Sequence, residues 1–320
     1  MADLSCVENH VRALVSCVPA DGVTVDLQPL FFNLTIDSAT DFLLGQSVAC
    51  QGSPPGSSGW EFSEAFDYAE EAIERRNALG QYAWLLHDPK FYASCQVVHR
   101  FMDKYIDETL RSETKTSRRY NLLTELAREC RDPIQLRNEL LNVLLAARDT
   151  TASLLSSIFY LLARHPRVWD TLREEVDQLN GRQPDYDTLK DMRYLKSVLN
   201  ESKLLTDLIM IMVMIMVMIM RISALRVLPP VPMNERFARK DTVLPHGGGP
   251  DEQSPIFVAR GSRVVYSTWA MHRLPEVWGD DSETYRPERW LEEDPPLRPG
   301  WAFLVSVVSS MQGEPLRAAC

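Results

Sequence analysis

The stretch DPIQLRNELLNVLLAARDTTASLLSSIFYLLARHP, opening at Asp132, constrains what this chain can fold into more than any other. Apolar residues recur along it at helical spacing. Asp132 can cap a helix, Pro133 suits a first turn, and Pro166 stops the run. At about 1.5 Å per residue such a helix is roughly 50 Å long, about a domain's diameter. Its middle is apolar nearly all round, which predicts a central helix buried by others.

Helical periodicity extends well beyond it, from Ser63 to Glu201. FSEAFDYAEEAIERRNALG places Phe62, Phe66, Ala69 and Ile73 on one stripe, after the Gly/Pro/Ser loop QGSPPGSSG. CQVVHRFMDKYIDETLRSE repeats the pattern with Val97, Phe101, Tyr105 and Ile106. PRVWDTLREEVDQL and MRYLKSVLNES are two more helices, separated by the turn NGRQPDYDTL. Beyond Pro229 the character changes. IFVARGSRVVY alternates around a Gly turn and predicts a small β element, whereas GGG (247–249) reads as a loop. The expected architecture is a mainly α body with minor β-sheet in the C-terminal third.

Charge and cysteine content narrow the chemistry. A net charge of −10 with scattered basic residues argues against nucleic acid as a partner. The six cysteines form no CxxC pair and no zinc-ligand spacing, so no metal site is expected and free thiols are. MADLSCVENHVRALV lacks the basic and apolar regions of a signal peptide.

The segment from Leu208 to Met220 uses only Leu, Ile, Val and Met. It is shorter than the roughly 20 residues that cross a bilayer and longer than an ordinary strand of about five or six. Its two-letter alternation looks like translated low-complexity nucleotide sequence, not a selected core.

The chemistry lies in the middle of the long helix, at Ala146-Ala147-Arg148-Asp149-Thr150-Thr151. Two alanines allow something bulky to approach the backbone. A mid-helix Thr can bond back to the carbonyl four residues earlier and open a groove. Asp149 and Thr150 offer an acid and an alcohol for a proton relay. The same residues also read as a helix crossing with a surface Arg–Asp pair.

AARDTT has company. HPRVWDTLREEVD, LKDMRYLKSVLNES, LRVLPPVPMNERFA, YSTWAMHRLPEVWGDD and TYRPERW follow in this order. Together they resemble the cytochrome P-450 family of haem-thiolate monooxygenases over about residues 20–202 and 225–304. AARDTT is similar to the family's oxygen-activating [AG]Gx[DE]T[TS] helix, with Ala147 in place of the usual Gly. TYRPERW is similar to its aromatic-Pro-Glu-Arg signature. Arg148 and LPHGGGPDEQSPIFVARGSRVVYSTWAMHR resemble the fungal branch that hydroxylates n-alkanes and fatty acids at the chain end. The resemblance implies a haem cofactor, an NADPH-linked reductase as partner, a long-chain alkane or fatty acid as substrate, and the cytosolic face of the endoplasmic reticulum membrane.

Members of the family carry an uninterrupted Glu-x-x-Arg before a Pro-rich turn. Deleting Lys203–Ala224 joins Glu201-Ser202-Leu225-Arg226 and restores it; the deleted piece is 22 codons, or 66 nucleotides. Residues 203–224 therefore read as a translated intron inside a partial domain spanning 1–304, the alternative being an inserted anchor. By resemblance Glu201, Arg226 and Arg289 form a buried network under the haem.

Residues 305–320 form a tail outside the family pattern, and no FxxGxxxCxG supplies an axial cysteine. FLLGQSVACQG nearly fits through Phe42, Gly45, Cys50 and Gly52, with one residue too many before Cys50, and is rejected. The front also lacks an anchor and the haem-propionate helix. The expectation is a fold truncated at both ends, cytosolic for want of an anchor, and inactive as written. A non-catalytic helical interaction protein on the same scaffold and an unrelated helical protein are the competing readings.

Overall fold

A computed structural model describes residues 5–19, 22–111, 121–182, 184, 186–201, 226–229, 231–291, 299 and 302–304. The chain divides into two compact units. Of the described residues, one is built on those within 5–159 and 179–190, the other on those within 160–178, 191–201 and 226–304. Residues 203–224 and 305–320 lie outside the described residues.

The first unit is helical. It contains α1 (Ser5–Ser16), α2 (Leu27–Leu44), α3 (Ser58–Leu79), α4 (Pro89–Arg111), α5 (Leu122–Glu129) and most of α6 (Pro133–Arg164), with α8 (Tyr186–Asp191) added. Local chemistry sets the ends. The Asp26 carboxylate accepts the Gln28 N–H to start α2, and Ser57 accepts the Trp60 N–H to start α3. Asn121 accepts the Thr124 N–H to start α5. Gly45 ends α2 at φ 76°, and a Cβ there would meet Asn121 Nδ2 at 2.9 Å. Helices α2, α3, α4, α5 and α6 bury a shared core of Leu43, Phe62, Phe66, Met102, Ile106, Leu123, Leu140 and Leu144. On α4 the buried line is Ser94, Val98, Met102 and Ile106; of the expected stripe Ile106 is buried, while Val97, Phe101 and Tyr105 are half-buried and pack against the same core. On α3, Phe62 and Phe66 are buried as expected, but Ile73 is 46% exposed and Ala72 takes the inward position.

The second unit holds α7 (Pro166–Asp177), α9 (Arg193–Glu201), four strands and the short helices α10 (Thr268–Met271) and α11 (Pro275–Trp278). Glu175 of α7 accepts the N–H groups of Tyr194 and Leu195, at 2.9 and 2.7 Å, and so caps α9 from outside. The strands are β1 (Met233–Phe237), β2 (Thr242–Gly248), β3 (Ser254–Val258) and β4 (Arg263–Ser267). Two antiparallel ribbons result, β1 with β4 and β2 with β3. The strands flanking Gly261 are present as predicted, yet each pairs with a different partner. GGG is only partly loop: Gly247 and Gly248 close β2, and Gly249 makes the turn at φ 77°. Trp278, Trp290 and Phe303 pack ring against ring, with centroids 4.8–5.7 Å apart. His272 lies against them, its Nε2 accepting the Leu304 N–H.

Candidate active site

Helix α6 begins as its sequence predicts. The Asp132 carboxylate accepts the Ile134 N–H at 2.9 Å, and Pro133 occupies the first turn. Its middle, however, is not buried all round. Leu140 and Leu144 face the core, whereas Val143, Leu145, Ala146 and Ala147 are exposed. Positions 143, 146, 147 and 150 fall on one helical face. That face is therefore an open, small-residue surface ending at a hydroxyl. Thr150 is half-buried, and its Oγ1 donates to the Ala146 carbonyl at 2.8 Å. The back-bond diverts a ladder acceptor, as expected of a mid-helix Thr. Thr151 is buried.

The opposite side carries the charge. Arg148 is 1% exposed, which rules out the alternative of a surface Arg–Asp pair. Its Nη1 donates to Glu70 Oε2 at 3.2 Å and to Asp149 Oδ1 at 3.0 Å, and its Nη2 donates to Asp67. The guanidinium also lies over the rings of Phe32 and Phe66, 4.7 and 5.2 Å from their centroids. Burying a cation is tolerable only with such pairing. The carboxylates feel the same burial. Desolvation raises Asp67 although Arg148 pulls it down. Glu70 is pushed up to about 8, first by burial and then by its hydrogen bond to Asp149.

Asp67 and Glu70 were not foreseen, since they lie 81 and 78 positions from Arg148. A signal existed: an arginine set in an apolar helix requires carboxylates, and Asp67 and Glu70 stand one helical turn apart beside Phe66.

The other predicted residues lie in the second unit. Arg226 is fully buried and donates to the carbonyls of His272 (3.0 Å), Ser282 and Thr284 (2.9 Å). Arg289 is also buried; it donates to the Trp278 and Asp281 carbonyls, to Asp281 Oδ1 and to the Thr284 carbonyl. Arg226 and Arg289 thus converge. The Glu201 side chain lies outside the described residues, so its pairing with Arg226 does too.

Among the described residues, Cys17, Cys50, Cys95 and Cys130 are free thiols. Cys50 is buried, its Sγ donating to the Gly59 carbonyl, and burial followed by the Asp37 charge holds its pKa far above the ordinary thiol value. Cys130 donates to Gln135 Oε1, and burial raises Cys95. Among the described residues no cluster of His, Cys, Asp and Glu could hold a metal ion. None of the described helices is long and apolar enough to cross a membrane.

Comparison with known proteins fits this arrangement. The profile of the Cytochrome P450 family matches residues 5–209 and 223–304. Cytochrome P450 52A12 of Debaryomyces hansenii is 39% identical over 95% of this chain and 58% of its own length. Cytochrome P450 52A4 of Candida maltosa is 38% identical over 95% of this chain and 56% of its own. Cytochrome P450 monooxygenase FPY7 of Fusarium mangiferae is 37% identical over 95% and 56%. The chain spans under three-fifths of the length of these curated relatives. A mainly helical fold with small antiparallel ribbons, a buried arginine pair and an AARDTT helix with one open face go together with that match: the chain belongs to the cytochrome P450 family.

Proposed function

We propose that the protein to which this polypeptide belongs is a haem-dependent monooxygenase hydroxylating the chain ends of n-alkanes or fatty acids. It would take electrons from an NADPH-linked reductase at the cytosolic face of the endoplasmic reticulum membrane. The observation that carries this reading is the α6 surface at Val143, Ala146, Ala147 and Thr150, small and open, with the Asp149 acid on the same turn. The relative with the printed name Cytochrome P450 monooxygenase FPY7 supports the monooxygenase reading, and the alkane and fatty-acid branch rests on the resemblance carried by Arg148 and LPHGGGPDEQSPIFVARGSRVVYSTWAMHR.

Haem is the family's cofactor. The residues described here fit it only in part. The α6 face suits a flat apolar group, but the raised thiols of Cys50 and Cys95 do not suit an iron ligand, which must be a thiolate. The roles assigned to this chain's own residues are simpler. Ala146 and Ala147 keep the wall thin, Thr150 and Thr151 present hydroxyls, and Asp149 supplies a proton-carrying acid beside them. Arg226 and Arg289, with Glu201, hold the second unit's core.

Residues 203–224 we assign to a translated intron interrupting a partial domain of residues 1–304, with 305–320 as a tail outside the family. The break in the family match between 209 and 223 supports this division. Sequencing transcripts across codons 203–224 and beyond codon 304, then expressing the spliced protein with a reductase and a long-chain fatty acid, tests the reading. ω-Hydroxylated product and a thiolate-type carbon monoxide spectrum are expected. Absence of both from a folded spliced protein would reject it.

A further inference from the structure

Strands β1 to β4 share one register. Each step forward from Met233 is matched by one step back from Ser267, until Leu244 meets Ile256. The ladder is interrupted at 238–241, where the Ala238 N–H still reaches the Ser262 carbonyl at 2.9 Å and the Gly261 N–H the Ala238 carbonyl at 2.7 Å. Side chains alternate between the faces of a strand, and cross-strand partners share a face. Met233, Phe237 and Val265 therefore share one face of the β1–β4 ribbon, and Val243 and Phe257 share the face of β2–β3 that continues it in register. All five are exposed, Phe237 by 60% and Phe257 by 67%. The opposite face holds the buried Val258 and the half-buried Val264 and Tyr266. An apolar strip this open calls for a partner other than water.

The middle of the strip is positive. Arg239, Lys240 and Arg260 flank the interruption, all exposed, and among the described residues none of them makes an ion pair. The carboxylates beside them are already engaged. Glu235 pairs with Arg263, and Asp241 accepts the Arg260 N–H at 2.7 Å. Asp251 and Glu252 lie at the far closing turn, so the cations belong to the middle of the hairpin and not to its tip. We propose that this face of the 233–267 hairpin rests on an anionic lipid bilayer. Its five apolar side chains enter the headgroup layer, and Arg239, Lys240 and Arg260 pair with anionic headgroups. Apolar and cationic groups side by side suit such an interface. An acidic protein surface would satisfy the cations but set Phe237 and Phe257 against charge, and a second copy would bring like charges together. The net charge of −10 does not oppose contact, because the screening length is about 8 Å at physiological ionic strength and only nearby charges are felt. The proposal deepens the membrane placement given above and rests on that reading for its setting.

The test floats the chain as it stands with phosphatidylcholine vesicles, with and without phosphatidylserine. Binding should be much tighter with phosphatidylserine and should weaken as salt is added. Arg239→Gln, Lys240→Gln and Arg260→Gln together should weaken it on the order of 100-fold, about fivefold for each cation, which corresponds to about 1 kcal/mol. Phe237→Ser with Phe257→Ser should weaken it on the same vesicles while leaving its salt dependence in place. The apolar run from Leu208 to Met220 is common to every variant, so it cannot produce these differences. Equal binding to neutral and anionic vesicles, or binding indifferent to the three cations, overturns the proposal. So does a dimer of the chain that the same substitutions dissolve. Should a variant fail to fold, hydrogen exchange of the unaltered chain decides, since anionic vesicles must slow it over 233–267. Failure here leaves the monooxygenase reading standing, because that reading is tested by product and spectrum in the spliced protein.

Discussion

Arg226 and Arg289, 63 positions apart in the sequence, donate to one and the same acceptor, the Thr284 carbonyl, at 2.9 and 3.1 Å. Two buried guanidiniums on one carbonyl repel each other, so each must be held by further acceptors. Arg226 has the His272 and Ser282 carbonyls, and Arg289 has Trp278 and Asp281. The loop from His272 to Thr284 is thereby tied at both ends to buried cations.

Removing one guanidinium should therefore release several buried carbonyls together. Arg226→Met is expected to destabilise the chain by about 3–5 kcal/mol, the scale for breaking a buried charged partnership. Arg289→Lys should recover little, since an ammonium cannot reproduce the planar fork. Denaturant melts of the two variants check both. A cost under about 1 kcal/mol would mean these carbonyls find other partners.

Asp281 makes the same cluster pH-sensitive. Burial pushes its carboxyl up, but the hydrogen bond and charge of Arg289, joined by Arg286, outweigh this and leave it below the ordinary Asp value. A depressed folded pKa contributes stability that is present above about pH 3.9 and lost as pH falls through the lower folded value. Asp281→Asn should remove that acid-side decline. Thermal melts between mildly acidic and strongly acidic buffer would show it as a flatter profile.

Glu70 has the opposite sign. Its folded pKa of about 8 lies above the ordinary value. The folded chain then binds more protons than the unfolded one, and stability falls as pH rises from about 4.3 toward 8, levelling beyond. Glu70→Gln should flatten this decline, and a mutant profile parallel to that of the unaltered chain would contradict the assignment.

The contrast between Arg226 and Arg148 shows what sequence could and could not convey. Arg226, Arg289 and AARDTT sit in short local motifs that resemble the family's, so sequence alone could single them out, and the structure buries both arginines. The partners of Arg148 were not legible in this way, because Asp67 and Glu70 arrive through the packing of α3 on α6, a contact between distant segments that periodicity does not encode. Helix α6 was found almost to the residue, since Asp132, Pro133 and Pro166 act locally. Its open face was not, because Val143, Leu145, Ala146 and Ala147 are as apolar as a core. Composition does not say which apolar residues are covered. Likewise β1 and β2 were missed beside the alternating IFVARGSRVVY, since β1 carries Asn234, Glu235 and Arg236 and β2 contains Pro245 and two glycines.

Thr150 offers a test of the α6 assignment. Thr150→Ala removes the back-bond to Ala146 and returns that carbonyl to the helix ladder, so stability should change little. In the spliced protein the same change should divert electrons from product to peroxide, and Asp149→Asn should slow turnover by about 10²–10⁴-fold. Unchanged coupling and rate in both would reduce AARDTT to a helix-packing sequence.

The apolar run is the sharpest test of how the chain is organised. Between Leu208 and Met220 there is no charge and no proline, the composition that favours intermolecular strand pairing. If residues 203–224 are translated intron, they have no packing partner to repay the entropy of ordering them. Deleting Lys203–Ala224 would also bring Glu201 and Arg226 within one helical turn, close enough to pair. The deletion is thus expected to give more soluble protein and a higher unfolding midpoint than the chain as written. An inserted anchor predicts otherwise: deletion would release protein from membranes without improving its melt. Fractionation and thermal melts of the two proteins separate these outcomes, and a loss of stability on deletion would sink the intron assignment.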